Sequence, residues 1–194
     1  MPARRVVVAT RNEHKLRELS EILGDLKLVS LPADVELPPE DAETFAENAL
    51  DKARAAHAAT GMPAIADDSG ITARAIGGSP GPRSARFAGP EASDEENLEL
   101  LLSEVADKED RSVAYVCALA YVDERGNERL VEGRCEGTLA KAPRGTGGFG
   151  YDPAFIPVDT GPDDVRTMAE LDPAEKHAIS HRGRAARKLA EALR

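Results

Sequence analysis

Two adjacent aspartates follow a short apolar segment in the first half of the chain. Residues 63–66 predict a buried strand that runs directly into Asp67, Asp68, Ser69 and Gly70. We expect the strand to end at these acids, where Gly70 allows the backbone to turn. Carboxylates suit Mg²⁺, which takes one or two of them together with substrate phosphates. Since neighbouring residues of an extended chain point to opposite faces, one aspartate would face a site and the other would anchor the loop. An Asx-type turn explains the same string equally well.

A second polar group lies where the first predicted strand passes into a helix. Free N–H groups and the helix dipole make such a junction an anion site. Its polar side chains belong to Thr10, Arg11, Asn12, Glu13, His14 and Lys15. A lysine one turn into the helix can place a cation over a phosphate. The alternative is an ordinary helix cap followed by a solvated lysine, and the glycines of a Walker loop are absent.

An acidic loop precedes the next predicted helix and could supply a second metal ligand. Its acids are Glu40, Asp41 and Glu43, and Thr44 follows them. Acids near a helix N-terminus also stabilise the helix without any further function, so the loop alone does not establish a metal site.

A glycine-rich segment and a basic segment occur late in the chain. In residues 145–153, glycines that allow close approach of the backbone flank Phe149 and Tyr151, on which a nucleobase could stack. In residues 176–183, Arg182 could contact a carbonyl oxygen of a base, and a backbone or imidazole group could contact another base edge. The alternative for this second segment is a solvated basic helix face.

The elements that position these residues alternate in type early in the chain. Residues 4–10 and 26–31 predict strands, residues 44–60 a helix ending before Gly61, and residues 112–122 with 128–140 a long hairpin. Ser93 with Glu96 forms a capping box. We expect loops at 77–90 and 142–157, and a last helix that starts at Asp172 and bends near Gly183. This order predicts a mixed α/β sheet with helices packed on it.

Composition limits the classes of partner. The chain has 194 residues, which favours one domain or two joined lobes, and its net charge of −10 disfavours binding to a nucleic-acid backbone. Cys117 and Cys135 match no zinc or redox motif. No apolar run is long enough for a signal-peptide core or a membrane span, so we expect a soluble, cytoplasmic protein with no membrane partner.

Six strings in register resemble the inosine-triphosphate pyrophosphatase family. They are VVVATRNEHK, TFAENALDKARAA, AIADDSGI, PGPRSARFAG, GTGGFGYDPAFIP and EKHAISHRGRA, and they extend from Val6 to about Ala185. The resemblance implies one pyrophosphatase domain over residues 1–194, of α/β class, with an elongated mixed β-sheet, flanking helices and two lobes around a nucleotide cleft. It also implies a homodimer that uses Mg²⁺ to hydrolyse ITP, dITP and XTP to the monophosphate and pyrophosphate.

The resemblance also implies roles for individual residues. Residues 10–15 would bind the triphosphate, Glu40 and Asp68 would hold Mg²⁺, and Asp68 would be the catalytic base. The remaining substrate contacts would come from Ser69, Phe149, Gly150, Tyr151, Asp152, Lys176, His181 and Arg182. The chain departs from the family pattern at Ala42, where a glycine is usual. The extra Glu43 leaves the choice between Glu40 and Glu43 as metal ligand open.

Two other functions fit the same residues. One is a pyrophosphatase acting on pyrimidine or modified thymidine triphosphates, and the other is a nucleotide-binding module without catalysis. A module that only binds has no need of a base such as Asp68, which favours an enzyme.

Overall fold

The computed structural model describes residues 4–194, except for the side chains of Arg4 and His14. Its strands are β1 (Arg4–Val8), β2 (Leu26–Ser30), β3 (Ala64–Ala73), β4 (Ser112–Val122), β5 (Glu128–Leu139) and β6 (Phe155–Pro157). Its helices are α1 (Glu13–Ile22), α2 (Phe45–Thr60), α3 (Asp94–Glu104), α4 (Pro173–Ile179) and α5 (His181–Ala192).

The strands form one mixed sheet in the order β2-β1-β3-β4-β5-β6. β1 pairs in parallel with β2 and with β3, with Val7 opposite Val29 and Ala64. β5 pairs antiparallel with β6, with Thr138 opposite Ile156. The predicted mixed α/β class is therefore confirmed.

The chain divides into two compact units. Of the described residues, unit 1 contains 4–69, 117–133 and 182–194, and unit 2 contains 70–116 and 134–181. The strands β3, β4 and β5 contribute residues to both.

Each unit has its own apolar core. In unit 1, Leu19 of α1 and Leu189 of α5 pack with β-strand residues such as Val6, Ile65 and Leu119. In unit 2, Ile71, Leu101, Leu139, Phe155 and Met168 belong to one buried cluster. The scarcity of aromatic residues leaves most of both cores to aliphatic side chains.

The helix boundaries follow from local capping. The Thr44 side chain accepts from the Glu47 N–H at 3.2 Å, and Gly61 ends α2 with φ of 66°. Ser93 and Glu96 form the predicted capping box of α3. Asp172 caps α4 in the same way with Glu175. These predicted helix starts are confirmed.

Four local predictions were wrong. β3 does not end at the aspartates but continues to Ala73, because the backbone of Asp67–Gly70 stays extended. The segment expected to be a loop after Gly77 contains a 3-10 helix, Gly81–Arg86. The second expected loop ends in β6. The last helix breaks at Ser180, whose ψ of 139° is extended, rather than bending at Gly183.

Gly70 has a packing role in place of the predicted turn. A Cβ there would lie 2.3 Å from Ser84 Oγ and 2.8 Å from the Gly81 carbonyl oxygen. The Ser84 hydroxyl accepts from the Ile71 N–H at 2.8 Å, which fastens the 3-10 helix to β3. The glycine therefore allows the 3-10 helix to lie directly against the strand.

Within residues 4–194, none of the helices has both the length and the apolar character needed to cross a bilayer.

Candidate functional site

Asp67 is the centre of a buried ionic cluster in unit 1. It lies on β3 and is 1% exposed. Its Oδ2 is 3.0 Å from Lys15 Nζ on α1 and 3.3 Å from Arg182 Nε on α5. Burial alone would raise the pKa of Asp67, but Lys15, Arg182 and Lys52 lower it below the ordinary range. The carboxylate is therefore held ionised, and the two cations are fixed beside it.

Asp68 has a different environment from its neighbour. Its Oδ2 accepts from Asn48 Nδ2 of α2 at 2.8 Å, and its Oδ1 accepts from the Ser69 N–H at 3.0 Å. Thus the two aspartates contact different helices, which agrees with the alternation of side chains along a strand. Burial and the nearby charge of Glu40 raise the pKa of Asp68, although Asn48 and Lys52 act in the opposite direction. A carboxylate with a raised pKa is a better proton acceptor than an ordinary aspartate.

Lys52 links the acidic loop to β3. Its ammonium donates to Glu40 Oε1 and, at 2.6 Å, to the carbonyl oxygen of Asp67. Lys52 is 5% exposed. It lies on the same face of α2 as Asn48, which precedes it by one turn. Sequence reasoning did not select either residue. Two polar residues four positions apart on an otherwise alanine-rich face were the signal that could have identified them.

The strand–helix junction is held mainly by its own polar groups. Thr10 Oγ1 accepts from the Asn12 N–H at 3.1 Å, and Asn12 Oδ1 accepts from the Lys15 N–H at 3.2 Å. Arg11 donates to carbonyl oxygens in the loop after β2, including Val35 O at 2.7 Å. Glu13 is exposed, and the His14 side chain lies outside the described part of the chain. Triphosphate binding by these residues stays a prediction.

Arg182 is tied into unit 1 by three partners. Besides Asp67, its guanidinium donates to Glu18 Oε2 at 2.7 Å and to Ser69 Oγ at 3.2 Å. The side chain is 8% exposed. These contacts give Arg182 a role in holding the aspartate strand, and its predicted contact with a base stays a prediction.

Asp152 is the centre of a second cluster, which lies within unit 2. This aspartate is 3% exposed. Its Oδ1 accepts from the Tyr115 hydroxyl at 3.0 Å, and its Oδ2 accepts from the Phe149 N–H at 3.0 Å. The ammonium of Lys176 lies 2.6 Å from the same Oδ2 and 4.9 Å from the centroid of the Phe149 ring. The carboxylate thus orders both the glycine-rich loop and α4.

The two aromatic residues of that loop have opposite environments. Phe149 is 69% exposed, which leaves its ring open to stack on a flat ligand. Tyr151 is buried, and its hydroxyl donates to the Ser84 carbonyl oxygen at 2.7 Å. The Gly150 N–H donates to Asp94 Oδ2 at 2.8 Å, a contact that the sequence did not suggest. Of the two aromatics expected to form a stacking surface, only Phe149 presents one.

Gly148 makes room for the Asp152 carboxylate. Its φ is +75°, and a Cβ there would lie 2.2 Å from Asp152 Oδ2. The glycines predicted that the backbone approaches another group closely. At Gly148 that group is the Asp152 carboxylate, which belongs to the same loop.

His181 stands at the junction of α4 and α5. Its ring stacks on Tyr115 with the centroids 5.0 Å apart and the planes at 17°. Tyr115 in turn stacks on Phe155 at 4.4 Å. Burial and the neighbouring Asp152 raise the pKa of Tyr115 well above its ordinary value, so the hydroxyl remains a donor.

Two carboxylates of unit 1 are of the type that a divalent cation takes as ligands. Glu40 and Asp68 carry hard oxygen atoms of the kind that Mg²⁺ binds. The pKa of Asp68 is raised mainly by burial, with a smaller contribution from the charge of Glu40. Among the described residues, no three His, Cys, Asp or Glu side chains converge on one point. A site with two carboxylates suits Mg²⁺, which completes its shell with water and substrate oxygens, better than it suits a transition metal.

The fold and these two clusters define an α/β protein with a buried carboxylate–cation site and a separate carboxylate-centred aromatic site. The chain belongs to the Ham1 family, whose model matches residues 6–192. A protein of Streptomyces coelicolor named dITP/XTP pyrophosphatase is 48% identical over 98% of this chain and 97% of its own.

Two solved structures are also similar. A HAM1 protein from Coxiella burnetii has a TM-score of 0.89 and 42% identity, covering 98% of both chains. A nucleoside-triphosphatase, dITP/XTP pyrophosphatase, from Mycobacterium abscessus has a TM-score of 0.81 and 44% identity, covering 97% of this chain and 98% of its own. These likenesses bear out the family and fold expected from the six strings.

Proposed function

We propose that this chain hydrolyses the deaminated purine nucleotides dITP, ITP and XTP to their monophosphates and pyrophosphate, removing them from the nucleotide pool. The observation that carries the proposal is the unit 1 cluster. There Asp68 adjoins Asp67 on β3, and Lys15 Nζ lies 3.0 Å from Asp67 Oδ2. Lys52 donates to Glu40 and to the carbonyl oxygen of Asp67. Relatives named dITP/XTP pyrophosphatase, which this chain matches over nearly their full length, support the choice of reaction and substrate.

The cluster supplies a base and fixed positive charge. Asp68 accepts a proton from a water molecule, whose oxygen attacks the α-phosphorus as the α–β anhydride bond breaks. Lys15, oriented by Asp67, stabilises the negative charge on the departing pyrophosphate. Phosphoryl-group hydrolysis needs mainly positioning and charge stabilisation, and this set of residues provides both.

A magnesium ion belongs to this proposal. Glu40 and Asp68 would hold it, and when bound it would neutralise charge on the phosphate oxygens. The ion pair between Lys52 and Glu40 favours Glu40 over Glu43 as the second ligand, because it holds the Glu40 carboxylate next to β3.

The unit 2 cluster is proposed to hold the base. Phe149 offers an exposed ring for stacking, while Asp152, Lys176 and His181 order its surroundings. For Arg182 of unit 1, a base contact is proposed from the family resemblance alone: its side chain has donors only, which suit the 6-carbonyl of hypoxanthine and xanthine better than the 6-amino group of adenine. We also propose a cytoplasmic homodimer with no nucleic-acid partner, as the family resemblance and the net charge of −10 suggest.

A substrate panel tests the proposal. The purified chain is assayed with ITP, XTP, GTP, ATP and dUTP, with Mg²⁺ and with EDTA, and pyrophosphate and orthophosphate are measured separately. We expect ITP and XTP to yield pyrophosphate only when Mg²⁺ is present. Faster turnover of dUTP would indicate a pyrimidine pyrophosphatase. Binding of ITP without Mg²⁺-stimulated turnover would instead indicate a non-catalytic nucleotide-binding module.

A further inference from the structure

Tyr115 connects the parts of unit 2 to which base binding is assigned. It lies on β4 and is 8% exposed, so a ligand meets little of its surface. Its hydroxyl donates to Asp152 Oδ1, and one face of its ring stacks with His181. One core side chain therefore contacts both the glycine-rich loop and the junction between α4 and α5.

The hydroxyl has a specific task at Asp152. The other oxygen of this carboxylate, Oδ2, already accepts from Lys176 and from the Phe149 N–H. With Oδ1 held by Tyr115, the carboxylate plane is fixed at both oxygens. Its orientation then determines where the Phe149 backbone and the Lys176 ammonium lie, and these two groups place the exposed Phe149 ring.

The ring has a separate task at His181. The His181 imidazole stacks nearly parallel on the Tyr115 ring, and this stacking restrains the imidazole plane. Phe155 also stacks on Tyr115, with the ring centroids 4.4 Å apart. A phenylalanine would keep these ring contacts and lose only the hydroxyl. The two tasks of Tyr115 can therefore be separated by substitution.

We propose that Tyr115 is a positioning residue for base recognition, which fixes Asp152 through its hydroxyl and His181 through its ring. This inference rests on the proposed function, since it specifies how the base site of that function is held in shape. It predicts that loss of the hydroxyl weakens interactions with the base and leaves interactions with the phosphates unchanged.

The test compares ligands with and without a base. For the wild type, Tyr115→Phe and Tyr115→Leu, we measure kcat and KM for ITP, the dissociation constant for IMP, and inhibition by inorganic tripolyphosphate. We expect Tyr115→Phe to raise KM for ITP and the dissociation constant for IMP by about tenfold or more, since tenfold is the lower end of the scale of one hydrogen bond to a charged group. Its kcat and its tripolyphosphate inhibition constant should stay within about twofold of wild type, a change well below that hydrogen-bond scale. Tyr115→Leu should weaken IMP binding further, because it also removes the stacking on His181.

The matched control is Tyr121→Phe, which makes the same change at a buried tyrosine in the core of unit 1. It should alter none of these constants. Unchanged IMP binding in Tyr115→Phe would overturn the inference, and so would an equal loss for IMP and tripolyphosphate, which indicates a general structural effect. Absence of ITP turnover in the wild type would reject the proposed function instead, and IMP binding would still test the role of Tyr115.

Discussion

Asp68 is the residue on which the proposed reaction depends most directly. Replacing it with asparagine removes the charge and the basicity and keeps one of the two acceptors that bind Asn48 and the Ser69 N–H. We expect kcat for ITP to fall by about a hundredfold or more, the scale of a lost general base. Thermal unfolding should show a melting temperature close to that of the wild type.

The matched control is Asp34→Asn, at an exposed position in the loop after β2. It makes the same chemical change and should leave kcat unaltered. Turnover of Asp68→Asn near the wild-type rate would remove Asp68 from the mechanism.

Arg182 forms a buried ion pair with Asp67, so replacing it is expected to change stability as well as substrate specificity. Arg182→Ala leaves the buried Asp67 with fewer cationic partners, so we expect the free energy of unfolding to fall by about 3 kcal/mol. If Arg182 also donates to the 6-carbonyl, kcat/KM falls sharply for ITP and XTP in this variant. The difference in kcat/KM between these substrates and ATP then becomes smaller. Denaturant titration and the kinetics of ITP, XTP, GTP and ATP measure the two effects separately.

Phe149→Ala is the companion variant for this comparison. An exposed stacking ring adds affinity for any purine, so kcat/KM should fall by similar factors for ITP, XTP and the residual GTP activity. If Arg182→Ala leaves the ratio of kcat/KM for ITP to kcat/KM for ATP unchanged, Arg182 does not contact the 6-position and only holds Asp67 and Ser69 in place.

At the scale of the elements, the contact between β3 and the 3-10 helix Gly81–Arg86 depends on Gly70. Gly70→Ala would place a Cβ 2.8 Å from the Gly81 carbonyl oxygen, which belongs to the backbone and moves only if the 3-10 helix moves. We expect the free energy of unfolding to fall by about 1–3 kcal/mol, the usual cost of overpacking. Chemical denaturation of the variant measures this loss.

Gly24→Ala is the control for that substitution. Nothing lies within 4 Å of a Cβ at Gly24, so the free energy of unfolding should stay the same or rise slightly. Equal stability of the two variants would show that the 3-10 helix does not need this close approach to β3.

At the scale of the whole molecule, the net charge of −10 bears on the proposed homodimer. Two chains of like charge repel each other. Added salt weakens this repulsion because it shortens the distance over which charges interact. We expect sedimentation to give about twice the 20.7 kDa mass of one chain, with the dimer tightening from about 10 mM to about 150 mM salt. A mass of one chain at both salt concentrations would reject the homodimer.

The sequence by itself determined the features that depend on neighbouring residues along the chain. The caps of α2, α3 and α4 were predictable because Thr44, Ser93 and Asp172 bind N–H groups only two or three positions away. The hairpin of β4 and β5 followed from two β-prone runs on either side of a polar turn. The six motifs likewise identified the family, because each keeps its residues in a fixed order.

Tertiary structure decided the contacts between residues far apart in sequence. Polarity suggested that β3 ends at Asp67, but cations from α1, α2 and α5 compensate the buried aspartate and allow the strand to continue. Tyr151 matched a stacking motif, yet its hydroxyl binds Ser84 and its ring is buried. The roles of Lys52 and Tyr115 depended on partners in distant segments, which no local pattern specifies. Burial and charge compensation arise only when the elements pack, and for that reason the sequence could nominate site residues without assigning their partners.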